Sequence, residues 1–253
     1  MIAFRSIYLD SPAVAGRVVD FFQPEGPPRD HAMFLIHGGG WKAGARANLH
    51  GIALAFRDHG FEVATTDYRL SNVTAFEQIA DVRDALELYH RDLRERGHSG
   101  RIVLYGSSAG AHLALMTALL SDPPPRTGVA GICVQSAPFT FEPWRDIFPA
   151  SWQNMQEIAG EPFSAAPERY RRLSPIHYIA PDMPPLFALH AGNEHMFPLE
   201  LTRLFVRQAR ACGARAEYKV YPRTEHGFFY NLERWQQREA LDDIIRFTES
   251  LSS

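Results

Sequence analysis

The chain has 253 residues, 45% of them hydrophobic and 22% charged, and a formal net charge of −3 at pH 7. That is ordinary globular composition, and the length suits one large α/β domain spanning 1–253 with a sizeable buried core. No basic or acidic block is present, which argues against nucleic acid or a membrane surface as the main partner, and no apolar run approaches the ~18 residues that cross a bilayer.

In chain order, "RSIYLD" (5–10) and "GRVVDFFQP" (16–24) read as two strands joined through Ser-Pro and Gly. "HAMFLIHGGG" (31–40) reads as a buried strand ending in glycines, 46–59 as a helix, and "FEVATTDY" (61–68) as the next strand. Residues 74–95 carry Phe76, Ile79, Val82, Leu86, Tyr89 and Leu93 three or four apart, the period of an amphipathic helix. "RIVLYG" (101–106) is a strand and 108–121 a helix, stopped by Pro123, Pro124 and Pro125. Further strands are read at 129–138, 184–192 and 216–222, with helices at 198–212 and 232–251. Short apolar strands alternating with helices predict a mostly parallel sheet of about eight strands, covered on both faces.

Residues 139–183 break the alternation and are too long for a plain connection. They carry Phe139, Phe141, Trp144, Phe148 and Trp152, and are read as a cap-like helical insertion over the C-terminal edge of the sheet. The alternative is a surface excursion whose aromatics only pack it down.

Ligands of a parallel sheet bind at the C-terminal ends of its strands. "GSSAG" (106–110) lies at such an end and fits G-x-S-x-G, with Ser108 at the centre. A sharp strand–turn–helix elbow would lift that hydroxyl out of the backbone, and Gly106 and Gly110 would let strand and helix approach closely. The competing role for Ser108 is a helix N-cap, and Ser107 is the neighbouring candidate nucleophile.

A serine needs a base, a group to orient the base, and donors for the developing oxyanion. "HGGGW" (37–41) can turn the N–H groups of Gly39 and Gly40 towards one point, joined by that of Ala109. His226, in "YPRTEHGFFY" (221–230), follows the last predicted strand and suits the base in the chain order serine, acid, histidine. Glu194 is the only carboxylate in "ALHAGNEHMFP" (188–198), after the preceding strand; Asp182 is the fallback, at the wrong end of that strand. His190 and His195 flank Glu194, but no H-E-x-x-H is present, and Cys133 and Cys212 match no metal spacing, so no metal site is expected.

The sequence resembles α/β-hydrolase esterases related to hormone-sensitive lipase, to feruloyl and acetyl-xylan esterases, and to kynurenine formamidases. "HGGGW", "DYRL" (67–70), "GSSAGAHLA" (106–114), "SPIHYI" (174–179) and "HGFF" (226–229) fall in the family's order. The resemblance implies an α/β-hydrolase fold, Ser108 as nucleophile, His226 as base, and Gly39, Gly40 and Ala109 as oxyanion donors. It implies no cofactor. The family pattern has Asp in Gly-x-x-Asp-x-x-x-Pro; aligned on Pro198, that position holds Glu194, with one residue fewer after Gly192. Asp67 and Asp81 match positions that look structural in such enzymes, and His112 is read as a packed helix histidine. Trp41, Phe141 and Trp144 are the aromatic candidates for contacting substrate.

Three readings follow. The first is a carboxylesterase for short-chain acyl esters, including acetyl or feruloyl esters of sugars. The second is an arylformamidase acting on N-formylkynurenine, towards which "GSSAGAHL" leans. The third is a non-catalytic ligand-binding homologue on the same fold. The expected partner is a small-molecule ester, with a homodimer left open. The N-terminal stretch "MIAFRSIYLDSPAVAG" shows no basic segment followed by an apolar run, so the expected location is cytoplasmic.

Overall fold

The computed structural model describes residues 4–10, 16–120 and 128–251. Eight strands form one sheet: β1 (Arg5–Tyr8), β2 (Val18–Phe22), β3 (His31–Ile36), β4 (Val63–Thr66), β5 (Arg101–Ser107), β6 (Val129–Gln135), β7 (Leu186–Ala191) and β8 (Ala216–Tyr221). Their spatial order is β1-β2-β4-β3-β5-β6-β7-β8. β1 and β2 are antiparallel to their neighbours, and the other six strands run parallel. The triple proline and the Ser-Pro junction after β1 lie outside the described residues.

Strand residues alternate between two cores, as the two-residue repeat of a pleated strand requires. In β3, Phe34 and Ile36 enter one core while Met33 and Leu35 enter the other; in β5, Leu104 and Tyr105 divide the same way. The first core is covered by α2 (Ala75–Glu95), α3 (Ala109–Leu119) and α6 (Leu199–Ala211). The second is covered by α1 (His50–Asp58) and α7 (Trp235–Glu249). α2 starts where the Glu77 carboxylate accepts from the Thr74 N–H (2.7 Å) and hydroxyl (2.9 Å), satisfying donors that the first turn leaves open. Every residue of α3 is buried, because the sheet, α2 and the 139–183 segment enclose it.

Between β6 and β7 lie α4 (Pro149–Ala159), α5 (Pro167–Arg172) and a 3₁₀ turn, Pro175–Tyr178. Most aromatics of this segment pack it down. Trp152 meets Phe163 and Tyr170, and Phe139 meets Phe205. The "SPIHYI" stretch fastens it: Ser174 Oγ accepts from the Phe141 N–H (2.8 Å) and donates to the Tyr170 carbonyl (2.7 Å).

The strand order sets the site. After β3 the chain moves to β4 on one side; after β5 it moves to β6 on the other. The two connections diverge and leave a crevice at the C-terminal ends of β3 and β5, the switch point where open α/β sheets bind ligands. Close packing there depends on glycine. A Cβ on Gly106 would lie 2.2 Å from the Gly110 carbonyl oxygen, and one on Gly110 would lie 2.3 Å from that of Ile36. Both obstacles are backbone. Gly106→Ala and Gly110→Ala are each expected to cost about 3 kcal/mol as overpacking. That should lower the thermal midpoint by roughly 6–12 °C. An unchanged melting curve in either variant would refute the close approach.

Candidate active site

Ser108 stands between β5 and α3 with φ 54° and ψ −118°, a conformation that non-glycine residues rarely adopt. The fold holds it there: its N–H donates to the Gln135 carbonyl at 2.9 Å, and its carbonyl accepts from Ala111 (2.9 Å) and His112 (3.1 Å). Its hydroxyl makes no helix-capping bond, which removes the N-cap role. Instead, Ser108 Oγ lies 2.8 Å from His226 Nε2. Ser107 is fully buried, with its hydroxyl 3.1 Å from the Gln135 side chain.

His226 Nδ1 is 2.9 Å from both carboxylate oxygens of Glu194, whose side chain is 1% exposed. Burial alone would raise the Glu194 carboxyl. Hydrogen bonding and charge from His226, a bond from Ser136 and the Met196 N–H outweigh it and hold the group at about 2. Glu194 is therefore an anion and accepts only, so Nδ1 carries the proton and Nε2 is free to accept from Ser108. Asp182 is exposed in the turn before β7 and takes no part.

β8 lies three strands from β5, so the His226 loop must travel back across the strand ends. Gln135, at the end of β6, anchors it. Its side-chain amide oxygen accepts from the N–H groups of Gly227 and Phe228 at 3.0 Å each, and its side-chain NH₂ donates to Ser107 Oγ (3.1 Å) and Tyr105 Oη (3.2 Å). Farther along, Tyr230 Oη accepts from the Gly38 N–H at 3.2 Å, joining this loop to "HGGGW".

The "HGGGW" loop has φ 126° at Gly39, where a Cβ would sit 2.0 Å from the Ala43 carbonyl oxygen, so only glycine fits. Among the described residues no acceptor takes the N–H of Gly39, Gly40 or Ala109. Gly39, Gly40 and Ser108 line one cavity of about 390 Å³, and Ala109 follows Ser108 at the start of α3. "DYRL" buttresses the loop. Tyr68 Oη donates to the His37 carbonyl (3.0 Å), Asp67 accepts from the Arg46 backbone (2.7 Å), and Arg69 pairs with the buried Asp81 (2.7 Å). Trp41 is held by its indole N–H, which donates to His112 Nδ1 at 3.3 Å, while His112 Nε2 donates to the Leu173 carbonyl at 2.8 Å. Burial keeps His112 neutral, pushing it down to about 4.

Of the aromatic candidates, Trp41 lines the cavity, together with Met196, Phe197 and Tyr230. Phe141 does not. It is completely buried, edge-on to Trp41 and tilted against His112, and pinned by the bond from its own N–H to Ser174. Trp144 also stands one layer back, packed on Phe197. Contact with substrate is therefore withdrawn for both. Ser151 and Asn154 of α4 line the cavity and carry no motif that marks them in the sequence. His190 turns to Thr202 (3.2 Å), and His195 is exposed, so the pair does not converge on Glu194. Among the described residues no group of three or more His, Cys, Asp or Glu side chains could hold a metal ion. Nor is any helix there long and apolar enough to cross a membrane.

Residues 19–208, three-quarters of the sequence, match the sequence model of the BD-FAE family. The chain belongs to the BD-FAE family. The match includes the glycine loop, the serine elbow and Glu194; His226 lies beyond it. Among curated proteins, this BD-FAE chain is 30% identical over 210 residues to "Probable carboxylic ester hydrolase LipM" of Mycobacterium tuberculosis, covering 78% of this chain and 49% of that protein. It is 26% identical over 242 residues to "Esterase LipC" of the same organism, covering 88% and 59%. The chain thus spans about half the length of the curated relatives it matches. Among solved structures, Thermogutta terrifontis Est2 with propionate bound superposes with a TM-score of 0.82 at 22% identity, over 99% of this chain and 95% of that one. The same esterase phosphonylated by sarin gives a TM-score of 0.83 at 22% identity, over 98% and 94%. At that identity the likeness establishes the α/β-hydrolase fold.

Proposed function

We propose that this chain is a serine carboxylesterase that cleaves short-chain acyl esters through an acyl-enzyme. The observation that carries this reading is the relay itself: Glu194, His226 and Ser108 joined by bonds of 2.9 and 2.8 Å, beside free backbone N–H donors. His226 Nε2 takes the hydroxyl proton as Ser108 Oγ attacks the ester carbonyl. The N–H groups of Gly39, Gly40 and Ala109 hold the oxyanion. The His226 cation, held by Glu194, protonates the departing alcohol, and water then repeats the sequence on the acyl-enzyme. The esterase names of the relatives support the reaction class.

A cavity of about 390 Å³ is near the small end for ligand sites and supports a short acyl group. His112, in the stretch that leans towards a formamidase, is occupied by Trp41 and Leu173. With p-nitrophenyl esters from acetyl to decanoyl, kcat/KM should peak between acetyl and butyryl. A maximum at long chains, or faster turnover of N-formylkynurenine than of every ester, would overturn this reading.

A further inference from the structure

Part of the cavity wall comes from α4. Its buried face is apolar lower down, through Met155, Ile158 and Ala159. Nearer the N-terminus, Ser151 and Asn154, three residues apart on one face, line the cavity that also holds Ser108 and His226. Ser151 is 2% exposed, and its hydroxyl has no hydrogen-bond partner among the described residues. Asn154 Nδ2 lies against the oxyanion loop, where a Cβ on Gly40 would meet it at 2.7 Å. No described residue hydrogen-bonds its amide.

A buried hydroxyl without a partner costs stability, and alanine at this helical position would avoid that cost. The two side chains together supply donors and acceptors at one place. That combination matches a hydroxyl group, which both donates and accepts. Among the described residues no Arg or Lys lines the cavity, so an anionic group would enter without a countercharge from them.

We propose that Ser151 and Asn154 form a subsite for a neutral hydroxyl group carried by the ester close to its scissile bond. The inference rests on the esterase reading of Ser108 and His226. The hydroxyl can belong to the alcohol or to the acyl part, and two pairs of near-isosteric esters separate these cases. 2-Hydroxyethyl butyrate is compared with n-propyl butyrate, and methyl 3-hydroxybutyrate with methyl 3-methylbutyrate.

In at least one pair the wild-type protein should favour the hydroxylated ester by about tenfold in kcat/KM. That ratio should fall towards one in Ser151→Ala and in Asn154→Ala. Because the ratio is internal to each variant, general damage to the site cancels. A second readout is independent of turnover: Ser151→Ala should raise the thermal midpoint of the free protein by roughly 2 °C, since it removes an unpaired buried hydroxyl. Equal rates within both pairs overturn the subsite and leave the esterase intact. So does a preference that both variants retain, or a midpoint that falls in Ser151→Ala. No cleavage of any of the four esters overturns the subsite together with the esterase reading.

Discussion

Ser108→Ala is expected to lower kcat for p-nitrophenyl butyrate by roughly 10⁴–10⁶ while leaving the protein folded. The residual rate would come from substrate binding and the N–H donors, which the substitution does not touch. Folding should survive for local reasons. Alanine also carries a Cβ, so the positive φ at this position costs no more than it does for serine. The serine hydroxyl caps nothing, and the bonds that hold the elbow run through the backbone of residue 108. A fluorophosphonate reagent should add one label per chain to the wild type, at Ser108, and none to the variant. Ser107→Ala is the internal control. Its hydroxyl faces Gln135 rather than His226, so at least about a tenth of the rate should remain. The assignment is wrong if Ser108→Ala keeps a tenth of the activity, or if Ser107→Ala produces the larger loss.

Much of this arrangement is legible in the sequence because backbone chemistry dictates it. Glycines at 106 and 110 are forced by approaches of 2.2 and 2.3 Å, and the alternating strand residues are forced by the pleat. Chain order and strand ends together single out Glu194 and His226 in the sequence. Depth within an irregular segment is different. Phe141 and Trp144 lie outside regular elements, where no period separates a residue facing the cavity from one packed behind it. Gln135 did leave a trace, as a polar residue ending an apolar strand. Its partners, Gly227 and Phe228, come from a loop more than ninety positions away and cannot be read locally. Ser151 and Asn154 reach the cavity only because α4 packs across the strand ends, a tertiary fact with no local signature.

Removing the Glu194 carboxylate should also cost activity, by the smallest factor of the three relay members. Glu194→Gln is expected to lower kcat by roughly 10²–10⁴, less than Ser108→Ala, because the orienting acid removed alone is the mildest of the three losses in such a relay. The amide can turn its NH₂ to Nδ1, which favours the tautomer with the proton on Nε2, unable to accept from Ser108. Glu194→Asp should recover only part of the rate. The structure uses the longer side chain to span a loop one residue shorter than the Gly-x-x-Asp pattern, and both oxygens reach Nδ1 at 2.9 Å. Aspartate keeps the charge but withdraws it by about one carbon–carbon bond. Stability gives a separate check. The Glu194 carboxyl sits at about 2 in the fold against an ordinary 4.5, so the folded form binds its proton less readily than the unfolded chain. Its ionised form therefore stabilises the fold fully above pH 4.5, and that contribution is lost as pH falls from 4.5 towards 2. Between those limits the wild type should lose unfolding free energy more steeply than Glu194→Gln, which has no proton to take up. Parallel stability curves, or a structure in which another carboxylate contacts His226 Nδ1, would remove Glu194 from the relay and leave Ser108 and His226 in need of a different third member.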